Sequence, residues 1–204
     1  MSVVFPSGDL KLEGCVTGPA SCTRGAVICH PHPHYGGDMM NRIVCVLADA
    51  LAATGLATLR FNFRGVGKST GEYDAGIGEV EDARAAARYL RKRSGATHLT
   101  MAGFSFGAMV ALRAGAAMDD VERLIAVAPP ISFFDLGFLA ECQKEKVFIA
   151  GSGDQYCPLP RLRTELDRVA DPKVARVIAG ADHFLVGHER AVGEAARRAC
   201  GADP

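Results

Sequence analysis

The order in which two hydrophobic rhythms alternate along this chain limits its fold more than any other feature. Short continuous apolar runs bounded by turn residues read as strands at 25–29, 56–63, 99–104, 124–128, 147–151 and 175–178. Segments with apolar residues at helical spacing lie among them, at 42–54, 79–93, 106–117, 161–169 and 189–200. In the first of these, Ile43, Val46, Leu47, Ala50 and Leu51 share a face and Gly55 stops the helix. Strand followed by helix, repeated, requires parallel pairing with right-handed crossovers. Strands without polar alternation fit a sheet covered on both faces. The start differs: 3–5 and 10–15, split by Pro6-Ser7-Gly8-Asp9, read as a hairpin. The expected class is α/β: a mostly parallel twisted sheet with an antiparallel N-terminal hairpin and helices on both faces.

A length of 204 residues fits one domain over 1–204, able to bury about 70% of its unfolded surface without staples. Lys and Arg total 23, Asp and Glu 23, so no net positive field draws phosphates, and general nucleic-acid binding is excluded as an expectation. Arg91-Lys92-Arg93 falls where a helix ends and complements its negative terminus. Seven cysteines are odd in number, irregularly spaced and without a CxxC pair, which predicts reduced, mostly buried thiols in a cytoplasmic protein. Met1-Ser2-Val3-Val4-Phe5-Pro6 lacks the basic start and apolar run of a signal peptide. The longest apolar stretch, 43–59, contains Asp49 and Gly55 and is too short to span a membrane, so no membrane partner is expected.

Ligands of open parallel sheets bind beyond the carboxyl ends of strands, and four such ends here carry unusual residues. Gly103-Phe104-Ser105-Phe106-Gly107 follows a strand and opens a helix, the setting in which a GxSxG turn holds a strained, exposed serine hydroxyl. Glycine on either side is a steric need, and the helix terminus supplies a positive field where an oxyanion would form. A serine needs a base to take its proton. Of His30, His32, His34, His98, His183 and His188, only His183 lies just after the last strand and before the final helix. His98 precedes a strand, at the wrong end of the sheet, and His188 reads as a solvated residue of the last segment. The base needs a carboxylate, and Asp154 ends the strand-and-turn 147–154, whereas Asp182 adjoins the base and is poorly placed to face it.

The fourth end is His30-Pro31-His32-Pro33-His34-Tyr35-Gly36-Gly37. An oxyanion hole takes one amide from the residue after the nucleophile, here Phe106, and one from such a loop. Pro31 and Pro33 have no N–H, which leaves His32 as the expected donor and Tyr35, by backbone or hydroxyl, as the second choice. Three alternating histidines also suggest a metal. On an extended segment they would share one side, but no further ligand adjoins them, so no metal is expected. Arg64-Gly65-Val66-Gly67-Lys68-Ser69 imitates a phosphate loop, yet Asn62 stands where GxxxxGK[ST] needs glycine, and a glycine-rich loop rather than a helix follows.

These residues resemble the α/β-hydrolase superfamily, more narrowly the small bacterial hydrolases related to dienelactone hydrolases and to the catalytic domain of prolyl-oligopeptidase-type enzymes. The likeness rests on the 30–37 loop, Phe63-Arg64-Gly65-Val66-Gly67-Lys68-Ser69, the Ser105 turn, Gly153-Asp154 and Asp182-His183-Phe184, and so covers nearly the whole chain. It makes the 63–69 loop a fold landmark, which accounts for the false phosphate loop. Three departures stand out. Dienelactone hydrolases proper use cysteine where this chain has Ser105, and the 30–37 loop has His-Pro where many relatives have His-Gly. The family also often inserts a lid after the strand that follows the nucleophile helix; the 129–146 stretch is too short for one. A shallow, open site follows.

The resemblance and the residues together imply a serine hydrolase of carboxylic esters, working through Ser105, Asp154 and His183 with the Phe106 and His32 amides on the oxyanion. No cofactor is implied, and the partner is a small-molecule acyl substrate. Thioesterase, amidase or peptidase activity would use the same machinery, and a non-catalytic scaffold binding a ligand or partner is the remaining alternative. Phe133, Phe134, Leu136 and Phe138 could form an acyl wall or pack a short helix onto the core. Phe104 joins Phe133 and Phe134 as the expected substrate pocket.

Overall fold

The computed structural model describes residues 1–201 and resolves the two rhythms into one sheet with helices against it. In chain order the elements are β1 (Ser2–Ser7), β2 (Leu10–Thr17), β3 (Arg24–Cys29), α1 (Arg42–Ala52), β4 (Ala57–Phe61), α2 (Ile77–Ser94) and β5 (His98–Phe104). Then follow α3 (Phe106–Ala116), β6 (Val121–Val127), β7 (Glu145–Gly151), α4 (Leu159–Leu166), β8 (Lys173–Ile178) and α5 (Glu189–Ala199). The sheet order is β1-β2-β4-β3-β5-β6-β7-β8. β1 with β2 and β2 with β4 are antiparallel, and every later pairing is parallel.

The expected hairpin forms with a tighter turn. Pro6 and Ser7 belong to β1, and only Gly8 and Asp9 turn, with Gly8 at φ 58°. Proline is tolerated there because β1 is the edge strand, where a missing N–H on the outer side breaks no ladder. Two cores form because alternate residues of each strand point to opposite faces. Ala26 and Ile28 of β3 join Ile43, Leu47, Val192 and Ala196 under α1 and α5. Val27 and Cys29 join Ala86, Leu90, Val110 and Leu162 under α2, α3 and α4. Helical cover thins at the far edge: residues 174–177 of β8 are exposed, so the expectation of a sheet covered throughout fails there.

The topology fixes where a ligand can sit. From β3 the chain passes through α1 to β4 on one side, then through α2 to β5 on the other, so the strand order reverses between β3 and β5. A crevice opens at the carboxyl ends of strands that diverge in this way. Cys29 pairs with Gly103, which sets the loop after β3 level with the turn after β5.

The false phosphate loop is closed by its own contacts. Asp82 accepts from the Arg64 amide at 2.9 Å and from its guanidinium at 2.8 and 3.0 Å, and Glu13 accepts from the Lys68 amide at 2.6 Å. The amides of Gly65, Val66 and Ser69 donate to carbonyls of the same loop. A phosphate would find these donors occupied and a carboxylate among them. Between β6 and β7 the chain makes one short 3₁₀ turn, Gly137–Leu139, and no inserted domain. No helix among the described residues is long and apolar enough to cross a membrane.

Candidate active site

Ser105 stands between β5 and α3 at φ 55° and ψ −122°, a backbone region that costs a non-glycine residue about 1–3 kcal/mol. The flanking glycines permit this turn. A Cβ at Gly103 would lie 2.1 Å from the Gly107 carbonyl oxygen, and one at Gly107 would lie 2.3 Å from the His30 oxygen and 2.4 Å from that of Cys29. The first clash lies within the turn itself. The second is with the end of β3, so Gly107 lets the two loops touch.

His183 and Asp154 approach from the other side. Gly153 N–H donates to the Ala181 carbonyl and Ser152 N–H to that of Ile178, which ties the loop after β7 to the loop after β8. His183 Nδ1 lies 2.9 and 3.0 Å from the two Asp154 carboxylate oxygens, and Nε2 lies 2.8 Å from Ser105 Oγ. With Nδ1–H donating to the carboxylate, the Nε2 lone pair faces the serine hydroxyl. Asp154 also accepts from the amides of Tyr156 and Cys157 at 2.8 and 2.9 Å, which fixes its orientation. Both Asp154 and His183 are buried, at 3% and 5% exposure, so water competes little for their bond. Asp182 instead accepts from the amides of Phe184 and Leu185, bracing the turn beyond the histidine. Burial, reinforced by the charge of Asp154, pushes the Cys157 thiol up to about 12, so it stays protonated.

Neither the Phe106 amide nor the His32 amide donates to another described residue. The Tyr35 amide does, to the His32 carbonyl at 3.1 Å, which removes it as a backbone donor and leaves only its exposed hydroxyl. The segment is not extended as expected. A 3₁₀ turn, Pro33–Tyr35, folds it back, because Pro33 presets the φ of the first position and Gly36 closes it at φ 78°. The three histidines therefore do not share one side. His30 is wholly buried, with Nδ1–H donating to the Pro31 carbonyl at 2.7 Å and Nε2 accepting from the Phe63 amide at 3.1 Å. Burial lowers its pKa to about 4. Both nitrogens of His32 are engaged as well. Among the described residues no group of three or more His, Cys, Asp or Glu side chains is placed to hold a metal ion. His98 pairs with Glu122 at the amino end of β5, and His188 is a half-buried residue preceding α5 rather than a solvated one.

Above Ser105 lies an open cleft of about 520 Å³. Seven aromatic residues line it: Tyr35, Phe104, Phe106, Phe133, Phe134, Tyr156 and Phe184. That is half of the 14 Phe and Tyr residues in the chain. Among the described residues no Asp, Glu, Lys or Arg lines it. Three of the expected pocket residues, Phe104, Phe133 and Phe134, are there. The expected acyl wall divides: Leu136 is wholly buried in the core, and the Phe138 ring lies under the Arg113 guanidinium. The sequence reading missed Tyr156 and Phe184, whose rings meet His183 edge-on at 4.8 and 5.7 Å between centroids. Their positions beside Asp154 and His183 were the available signal.

The model of the family described as "Serine aminopeptidase, S33" matches residues 32–150. An α/β serine hydrolase homologue from Coxiella burnetii is 35% identical with a TM-score of 0.90, over 97% of this chain and 96% of that one. An α/β serine hydrolase without a lid from Xanthomonas campestris is 32% identical with a TM-score of 0.82, over 100% and 96%. An uncharacterized protein from Rickettsia prowazekii is 34% identical over 169 residues, 78% of this chain and 71% of that one. The strand order, the serine turn and these likenesses converge: the chain belongs to the α/β-hydrolase superfamily, in the family described as serine aminopeptidase S33.

Proposed function

We propose that this hydrolase cleaves carboxylic esters through a Ser105-His183-Asp154 triad and an acyl-enzyme. The observation that carries the reading is the unbroken relay from Ser105 Oγ through His183, 2.8 Å on one side and 2.9 Å on the other, to a buried carboxylate. Ser105 attacks the acyl carbon while His183 Nε2 takes its proton. The amides of Phe106 and His32 hold the oxyanion. His183 returns the proton to the leaving alcohol, and water repeats the sequence to release the acid. Asp154 keeps the proton on Nδ1 and stabilises the charged ring.

The cleft favours a neutral ester over the N-terminus of a peptide. An aminopeptidase must hold an α-ammonium group, and among the described residues no carboxylate lines the cleft to pair with it. The aromatic lining and the absent lid suit a small apolar acyl group that enters directly from solvent. The test is a panel of p-nitrophenyl esters of increasing acyl length, run beside a thioester and aminoacyl p-nitroanilides, with wild type and Ser105→Ala. The expected result is turnover of esters that drops on the order of 10⁴-fold or more in the variant. Hydrolysis of the anilides at rates matching the esters would return the reading to peptidase chemistry. Ser105→Ala at wild-type rate, or no labelling of Ser105 by a fluorophosphonate, would end it.

A further inference from the structure

We propose that Tyr73 is a positioning residue for the oxyanion hole, acting through the side chain of His32; this rests on the hydrolase reading above. Tyr73 belongs to the glycine-rich loop that follows the false phosphate loop, between β4 and α2, and nothing in the triad gives that loop a role. His32 is gripped at both ring nitrogens. Its Nδ1 accepts from the His34 amide at 3.2 Å, the side-chain cap of the 3₁₀ turn. A neutral ring with Nδ1 so engaged carries its proton on Nε2, and that proton is donated to Tyr73 Oη at 3.0 Å. The Tyr73 hydroxyl thus fixes both the tautomer and the tilt of the ring, and through the ring the backbone whose amide is proposed to hold the oxyanion.

The packing ties the same three residues together. The His32 ring lies 4.9 Å from that of Phe106 and 5.0 Å from that of Tyr73, and Tyr73 lies 6.0 Å from Phe106. The two residues proposed to supply the oxyanion amides therefore lean on each other and on Tyr73. Tyr73 is itself anchored from α2. The wholly buried Glu79 accepts from the amides of Asp74 and Gly76 at 2.9 and 2.7 Å, just after the tyrosine. Glu79 thus braces the backbone that follows Tyr73, and the Tyr73 hydroxyl in turn holds the His32 ring. Burial and the neighbouring His34 hold the His32 pKa below its ordinary value, against an opposing pull from Glu79, and this favours the neutral ring the clamp requires. Burial raises the Tyr73 pKa, so its hydroxyl stays a phenol.

The test is Tyr73→Phe, which keeps the ring on Phe106 and removes only the hydroxyl. The expected result is a kcat about tenfold lower with KM within about twofold, because misplacing an oxyanion donor weakens the transition state and spares ground-state binding. The rate of Ser105 phosphonylation by a fluorophosphonate should fall in step. In His32→Ala the same tyrosine change should add less than about twofold, since the clamp is already gone. The ¹⁵N resonances of the His32 ring should report an Nε2–H tautomer in wild type and a mixture in Tyr73→Phe. An unchanged ring spectrum, an unchanged kcat, or a KM that rises while kcat holds would overturn the proposal and leave the hydrolase reading intact. A wild type inert to both esters and fluorophosphonate would bring down the hydrolase reading and this proposal together.

Discussion

His30 and His183 each follow a parallel strand at the same rim of the sheet, and both rings are almost wholly buried, yet their surroundings differ. Both nitrogens of His30 end on backbone, a carbonyl and an amide; burial outweighs the pull of the Pro31 carbonyl and of Asp38 toward the charged ring, and its pKa falls to about 4. His183 has a carboxylate on one nitrogen and a serine hydroxyl on the other. The first arrangement locks a neutral imidazole as a strut between the 30–37 loop and Phe63. The second leaves a lone pair aimed at a hydroxyl, with a negative group ready to stabilise the ring once it takes a proton. Burial alone does not separate a structural histidine from a candidate base; the partners of its two nitrogens do.

Breaking this contrast should have its largest effect at His183. His183→Ala should match Ser105→Ala, on the order of 10⁴-fold or more in kcat on the best ester, while the melting temperature moves little. A His183→Ala enzyme retaining a tenth of the wild-type rate would show that the ring is not the base. The contact that lets the two loops meet comes next. In Gly107→Ala the new methyl lies 2.3 Å from the His30 oxygen, a backbone atom that cannot swing away. A loss of about 3 kcal/mol in urea unfolding is expected; an unchanged midpoint would mean the loops slide apart freely.

The smallest effect separates the histidines by pH. The pKa of His30 is lower folded than its ordinary value of 6.5, so the unfolded chain binds the extra proton between about pH 6.5 and 4. The stability this site supplies is complete above pH 6.5 and declines as pH falls toward 4. It should be about 2 kcal/mol smaller by pH 5. In His30→Gln that part of the slope should vanish, which urea midpoints at pH 7 and 5 for both proteins would check.

Much of this was legible because it is local. The serine turn announces itself through sterics between residues two apart, and the strand ends through hydrophobic period. Pro31 and Pro33 removed two amides from consideration by covalent structure alone. The 3₁₀ turn at 33–35 was misread as extended because alternating His-Pro gives no apolar period to follow. Phe133, Leu136 and Phe138 look alike in sequence, yet one lines the cleft, one is core and one lies under Arg113. Nothing within five residues distinguishes them. Tyr73 was invisible for the same reason: its partner, His32, lies 41 residues away.

The sequence by itself determined the alternation of strands and helices, the parallel sheet with its antiparallel start, the serine turn, and the short list from which base and carboxylate had to come. Those follow from forces acting between near neighbours, namely side-chain periodicity, glycine sterics and the missing proline N–H. Only the tertiary structure decided that His183 bridges 78 residues to Ser105 and 29 to Asp154, that His30 is sealed and His32 clamped, and that half the aromatic rings gather at one cleft. Hydrogen bonds need ångström placement, and for residues that far apart such placement exists only once the whole sheet has set the register of its strand ends.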